Sequence, residues 1–320
     1  MMKDILLLEP VFKEKVWGGK KLKELFGFPI PSDQTGECWG ISGHVNGTNK
    51  VVNGPFEGKT VRQLWEENRE LFAEEEGEEF PLLVKIIDAQ DDLSVQVHPD
   101  DKYAKEHEGY EFGKTECWYI LDSEPGAELV VGHNAESRDE LKEMVDEEKW
   151  EELFRRVPVQ QGDFVYVPSG TVHAIGKGIL LLEVQQSSDI TYRFYDYNRP
   201  GQDGKLRELH IEESIACSMV PHEDPALDRP SWEEDGLKVE RLIKEEYFTV
   251  HKWSLKKQGD TLKRLNSSYQ LVSVIEGSAK VQTEEAVHLV KQGDHFIIPS
   301  TVDSYEISGD VTIIVSESTK

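Results

Sequence analysis

Cysteine is scarce in this chain, and what there is does not pair. Cys38, Cys117 and Cys217 are the only thiols among 320 residues, far apart and without a CxxC spacing. That argues against a disulfide framework or a thiolate zinc site and fits a reducing compartment. Positive charge is scarce too. Lysine and arginine number 36 against 62 acids, a formal charge of −26, and such a surface repels phosphate backbones and anionic membranes. Neither nucleic acid nor membrane is expected as a partner. Long apolar runs are missing as well: the opening MMKDILLLEP holds four apolar residues in succession before Glu9, too few for a signal peptide or a spanning helix. The expected location is cytoplasmic. The acids gather in runs such as EEEGEE (74–79) and VDEEKWEE (145–152), which read as solvated surface. Against this background an anionic substrate needs a locally basic site, so a Lys or Arg inside an apolar strand stands out.

Helical periodicity is confined to short stretches. TVRQLWEENRELF (60–72) puts Val61, Leu64, Trp65, Asn68, Leu71 and Phe72 on one stripe behind Thr60 as N-cap. SRDELKEMVDEEKWEELF (137–154) opens with a capping box from Ser137 to Glu140, and a third helical segment spans roughly 210–219. The rest is short β-rich runs punctuated by Gly, Pro, Asn and Asp, as in an all-β sandwich or barrel with helical additions. An internal echo refines this. VQQGDFVYVPSGTVHAI (159–175) and VKQGDHFIIPSTVDSYEI (290–307) share QGD, an apolar run and PS, which predicts the same hairpin used twice in two related β-barrels. The expected domains are residues 1–220, a Pro- and acid-rich linker 221–236, and a second barrel 237–320. Where the first copy has His173 the second offers Asp303 and Ser304, so the second barrel is expected to be metal-free.

Residues 92–101 read DLSVQVHPDD. As a strand they would place Ser94, Gln96 and His98 on one face and Leu93, Val95 and Val97 on the other. Glu116 in KTECWYIL and His173 in PSGTVHAI are further candidate donors on β-type segments. Imidazole and carboxylate are ligands Zn²⁺ prefers, and an amide oxygen completes a set of four with room for water or substrate.

These residues, with VWGGKKL, GECWGIS, SVQVHPDDKYA, GKTECWYIL and PSGTVHAIGKGILLLEVQQSSDITYRFYDYNR, resemble the type I mannose-6-phosphate isomerases, the shorter bacterial class in particular. The resemblance spans most of residues 5–215. It implies a mainly β fold of cupin (jelly-roll) type, one Zn²⁺ per chain, and reversible conversion of mannose 6-phosphate to fructose 6-phosphate. It also implies Gln96, His98, Glu116 and His173 as metal ligands and Arg193 as the active-site arginine. Longer members of the family place a His before the lysine that corresponds to Lys114; this chain has Gly113 there.

Moving a proton between C1 and C2 through an enediolate needs a base and a stabiliser of negative oxygen. Two bases are candidates. Lys114 precedes Glu116 by two and shares its face, and a nearby dication favours a neutral amine. Glu183 in LLLEVQQ has apolar neighbours that would raise its pKa, or else it orients a ligand or Arg193. Arg193 offers a fork that can bind the phosphate bidentately or stabilise the enediolate, while Lys85 interrupts the apolar LLVKIID and meets either the phosphate or a structural acid. Ser94 could donate to the same phosphate. A sugar-phosphate sensor without turnover and an iron cupin oxygenase are the competing readings, and Gln96 speaks against the second. A monomer or homodimer is expected.

Overall fold

The computed structural model describes residues 2–201, 203–234, 236–256 and 268–319; position 235 of the expected linker lies outside them. The fold is mainly β with a few short helices. It divides into two compact units. One comprises residues 1–11, 39–84 and 227–320, the other 12–38 and 85–226. The sequence-based division put the N-terminal strand in the first barrel, but Leu6 pairs with Ile297 and Leu7 with Phe296. Backbone pairing thus ties the strand Leu6–Glu9 to the C-terminal sheet.

That sheet has nine strands. In spatial order they are Ser231–Glu234, Leu237–Lys244, Phe248–Leu255, Glu306–Ser318, Gln270–Gln282, His295–Ile298, Leu6–Glu9 and Lys50–Val51, with Val287–Lys291 pairing the long Gln270–Gln282 strand. One core of Ile5, Trp253, Val272, Phe296, Val315 and their neighbours fills this unit.

The remaining strands form two sheets. Six strands run in the order Phe164–Val167, Glu116–Ser123, Ile179–Gln186, Leu82–Ala89, Val11–Gly19, Thr35–Ser42, and five in the order Tyr192–Tyr195, Val95–Val97, His173–Ile175, Glu128–His133, Phe154–Pro158. Side chains from both sheets share a core that includes Trp118, Ile120 and Leu181 from one and Leu129, Val131 and Ile175 from the other, the packing of a sandwich. Neither set closes into a continuous hydrogen-bonded ring among the described residues, so the expected barrels are open sheets. Val95, Val97, Ala174 and Phe194 look the opposite way. They pack against Leu141 and Val145 of the helix Arg138–Asp146 and Ile211 and Ile215 of the helix Ile211–Cys217.

The local signals mostly hold. Thr60 and Gln63 form a full capping box on Val61–Glu67, and the helix breaks at Asn68 before a 3₁₀ turn over Arg69–Phe72. Ser137 accepts from the Glu140 amide, but the Glu140 carboxylate takes the amide of Glu136 and not that of Ser137. Both QGD turns have the same build: Gly162 and Gly293 adopt φ of +91° and +94°, and the aspartate that follows each accepts the amide three residues earlier, at 2.9 and 2.8 Å. They are not hairpins, however. Phe154–Pro158 and Phe164–Val167 belong to different sheets, while Val287–Lys291 and His295–Ile298 both pair the strand Gln270–Gln282.

Candidate active site

Period-two alternation positions the first donors. Val95 and Val97 lie in the helix-covered core, so Gln96 projects from the other face of that strand. His98 follows at the strand's end, where Pro99 has no amide to contribute to a ladder. Leu93 departs from the pattern. It precedes the strand and joins the core between the sheets instead of the face shared by the valines.

Gln96 is the centre of a three-strand row, paired on one side with His173 and on the other with Arg193. Directly opposed residues project to the same face, so strand register gathers amide, imidazole and guanidinium. Glu116, the first residue of the strand Glu116–Ser123, and Lys114 just ahead of that strand reach the same spot. The Glu116 carboxylate lies 3.4 Å from His173 Nε2 through Oε1 and 3.5 Å from His98 Nε2 through Oε2, and Gln96 Nε2 is 3.3 Å from His173 Nε2. His98, Glu116 and His173 are all buried, and among the described residues they are the cluster whose ligand atoms converge within 4.8 Å.

Two carbonyls decide which nitrogen each ring offers. His98 Nδ1 is 2.8 Å from the oxygen of Ile190, and His173 Nδ1 is 2.8 Å from that of Thr171. A carbonyl only accepts, so each Nδ1 carries the proton and each Nε2 lone pair faces the cluster. Burial, then the Lys114 ammonium, pushes His98 well below its ordinary pKa, and burial brings His173 down to about 4. Both rings are neutral at neutral pH, as ligation requires. Burial, then Glu183, pushes the Glu116 carboxyl up. Apart from the Lys114 ammonium, 3.2 Å from Oε2, the Glu116 oxygens have no hydrogen-bond donor. Two imidazole lone pairs and an undersatisfied buried carboxylate are chemistry suited to a divalent cation, and Gln96 adds a fourth donor once its amide turns its oxygen inward.

Lys114 Nζ is also 3.1 Å from His98 Nε2, which places the amine inside the cluster. Glu183 is engaged on both oxygens, by Lys85 at 2.9 Å and by the Trp118 indole at 2.9 Å. Burial pushes this carboxyl up, but Lys85 and Lys114 outweigh it and hold Glu183 below the ordinary value; the raised pKa expected from its apolar neighbours is not what the charges produce. Lys85 in turn is buried, and Glu183 and then Glu37 keep it charged against that burial. Glu37 itself pairs with Lys15 at 3.0 Å.

Arg193 donates through Nε to Ser94 Oγ at 3.3 Å and through Nη1 to the Glu208 carbonyl at 2.9 Å. Ser94 is therefore the acceptor that steadies the guanidinium. Charges of both signs stand nearby: Asp196, 4% exposed, pairs with both Arg199 at 3.0 Å and Arg207 at 2.6 Å, and burial followed by Arg207 lowers the Arg193 pKa against the pull of Asp196. Sequence reasoning missed Trp118, Glu37, Asp196, Arg199 and Arg207. Glu37, an acid within the apolar ECW of GECWGIS, was the one with a visible signal.

Residues 5–119 match the family model for phosphomannose isomerase type I, catalytic domain, and residues 238–318 that for mannose-6-phosphate isomerase, cupin domain. The mannose-6-phosphate isomerase ManA of Bacillus subtilis is 48% identical over 99% of both chains. A mannose-6-phosphate isomerase of Streptococcus mutans is 46% identical, again over 99% of both. The crystal structure of the mannose 6-phosphate isomerase from Bacillus subtilis superposes with a TM-score of 0.95 at 47% identity, covering 98% of this chain and 99% of that one.

Proposed function

The chain belongs to the type I phosphomannose isomerase family, and from that membership we propose that it interconverts mannose 6-phosphate and fructose 6-phosphate with one Zn²⁺ held by Gln96, His98, Glu116 and His173. The observation that carries this reading is the convergence of two fixed Nε2 lone pairs and a buried carboxylate around the Lys114 amine. A divalent ion there would supply Lewis-acid stabilisation of negative oxygen and help to fix the sugar. The remaining steps fall to the protein. Lys114 carries the proton between C1 and C2, because Glu183 has both oxygens committed to Lys85 and Trp118. Arg193, held by Ser94 and the Glu208 carbonyl, lends its permanent charge to the enediolate.

Lys85 and Glu183 act together, the ammonium holding the carboxylate and the carboxylate orienting Trp118. The phosphate is better served elsewhere. Arg199 and Arg207 meet at the buried carboxylate of Asp196, with Asp91 a further 3.8 Å from Arg199, and they are the basic side chains offered to a phosphate in a chain whose net charge is −26. The unit around residues 237–320 takes a structural role in this reading, since Asp303 pairs with Lys3 at 2.8 Å.

A coupled assay with mannose 6-phosphate tests the proposal. Turnover should vanish on chelation and return with zinc. Tight sugar-phosphate binding without turnover in the zinc-loaded protein would establish a sensor instead, and purified protein that carries iron and consumes oxygen would establish an oxygenase.

A further inference from the structure

Unmatched polar atoms next to the site extend beyond the proposed ligands. Gln185 pairs directly with Glu116 across the antiparallel ladder, as Glu183 does with Trp118, so Gln185 projects to the same face as Glu116. It is fully buried. Its Nε2 donates to the carbonyls of Gln186 at 2.7 Å and Ser188 at 2.6 Å. Because carbonyls cannot donate, the amide has one sensible orientation, with Oε1 turned away from them. That oxygen has no donor, and neither has the hydroxyl of Ser187, which is also fully buried. The Ser187 carbonyl, by contrast, is taken by the Tyr110 hydroxyl at 2.9 Å.

Resting on the functional reading above, we infer that Gln185 Oε1 and Ser187 Oγ form a hydrogen-bonding subsite for a hydroxyl of the sugar, beside Glu116 and Lys114. The chemistry selects the class of ligand. An amide oxygen held rigidly by its own NH₂ accepts from an O–H and repels a carboxylate or phosphate, so the neutral polyol body of the substrate belongs here and its phosphate at the arginines. Ser187 can accept or donate and so follows whichever hydroxyl Gln185 selects. A buried acceptor of this kind discriminates strongly against an analogue that lacks the donor.

The test pairs two variants of the full-length, zinc-loaded protein, Gln185→Met and Ser187→Ala, with calorimetric binding of a linear hexitol 6-phosphate and of analogues each lacking one hydroxyl. Removing one particular hydroxyl should weaken binding to the unaltered protein about tenfold. Gln185→Met should bind the parent about tenfold more weakly and lose nothing further with that analogue, while zinc content stays at one per chain. Equal losses across the whole series, or parent binding unchanged in both variants, would overturn the subsite and leave the oxygen facing internal water. Should Gln185→Met not fold, Ser187→Ala carries the same comparison. If the unaltered protein neither binds nor isomerises hexose 6-phosphates, the functional reading falls and the subsite with it; if it isomerises them but shows no coupling to either residue, the subsite alone falls.

Discussion

Lys85 illustrates how a single residue can be read two ways until its partner is known. A lysine in the apolar run LLVKIID must be compensated, and the compensation is Glu183 at 2.9 Å. Removing one member of a buried ion pair strands the other, so Lys85→Met should cost about 3–5 kcal/mol in urea unfolding at pH 7, whereas Lys85→Met with Glu183→Met should cost distinctly less. A Lys85→Met protein of unchanged stability that loses affinity only for phosphorylated sugars would return this residue to the phosphate. Arg193 makes a different kind of prediction. Its fork is held at Nε by Ser94 and at Nη1 by the Glu208 carbonyl, a double anchorage that lysine cannot reproduce. Arg193→Lys is therefore expected to lower kcat roughly a hundredfold with little change in KM, the mark of an interaction made mainly in the transition state. A raised KM at constant kcat would identify a ground-state contact.

Elements impose their own limits. The QGD turn occurs twice with matching geometry because its causes are local: a glycine at φ above +90° and an aspartate that caps the amide three residues back. Gly162→Ala and Gly293→Ala should each lower stability by about 1–2 kcal/mol. Denaturant midpoints would check this, and an unchanged midpoint would mean that the turn relaxes to another conformation. What the turn cannot specify is which strands it brings together. In one copy the flanking strands join different sheets, in the other they share one long neighbour, since strand partners are chosen by cores far away in sequence. The same holds for the strand Val95–Val97. Its alternation correctly separates valines from Gln96, yet Leu93 turns into the inter-sheet core, because the alternation applies only where the residue is in the strand.

Across the whole molecule, buried histidines couple stability to pH. His295 is 2% exposed, its Nδ1 2.8 Å from the Ser273 hydroxyl, and burial pushes its pKa down to about 4. The unfolded chain binds this proton more readily, with an ordinary value near 6.5. The contribution is therefore complete above about pH 6.5 and is lost as pH falls toward 4, by at most about 2 kcal/mol between pH 6.5 and 5. Unfolding free energies measured across that interval should fall less steeply in His295→Asn; an identical slope would locate the sensitivity elsewhere. The formal charge of −26 acts on the same scale. Raising salt from about 10 to 300 mM should stabilise the fold by screening self-repulsion, read as a higher melting temperature in an inert salt.

By itself the sequence determined what is local or compositional: the β-rich class, three helical segments with N-caps at Thr60 and Ser137, though 137–154 breaks into the helices Arg138–Asp146 and Trp150–Leu153, the recurring QGD turn, and the opposite facing of Gln96 and the valines. Its chemistry-bearing motifs were also sufficient to suggest the family and the donor set, since Gln96, His98, Glu116 and His173 sit in contiguous, recognisable strings. Only the tertiary structure decided the rest. The pairing of Leu6 with Ile297, the Lys85 and Glu183 ion pair, the Asp196 arginine cluster, and the carbonyls of Ile190 and Thr171 that fix the two imidazoles all join segments or set atom-level geometry that no periodicity encodes. The physical reason is common to them. A buried charge or lone pair is satisfied by whichever partner the packed sheets bring within about 3 Å, and that partner's identity is a property of the fold.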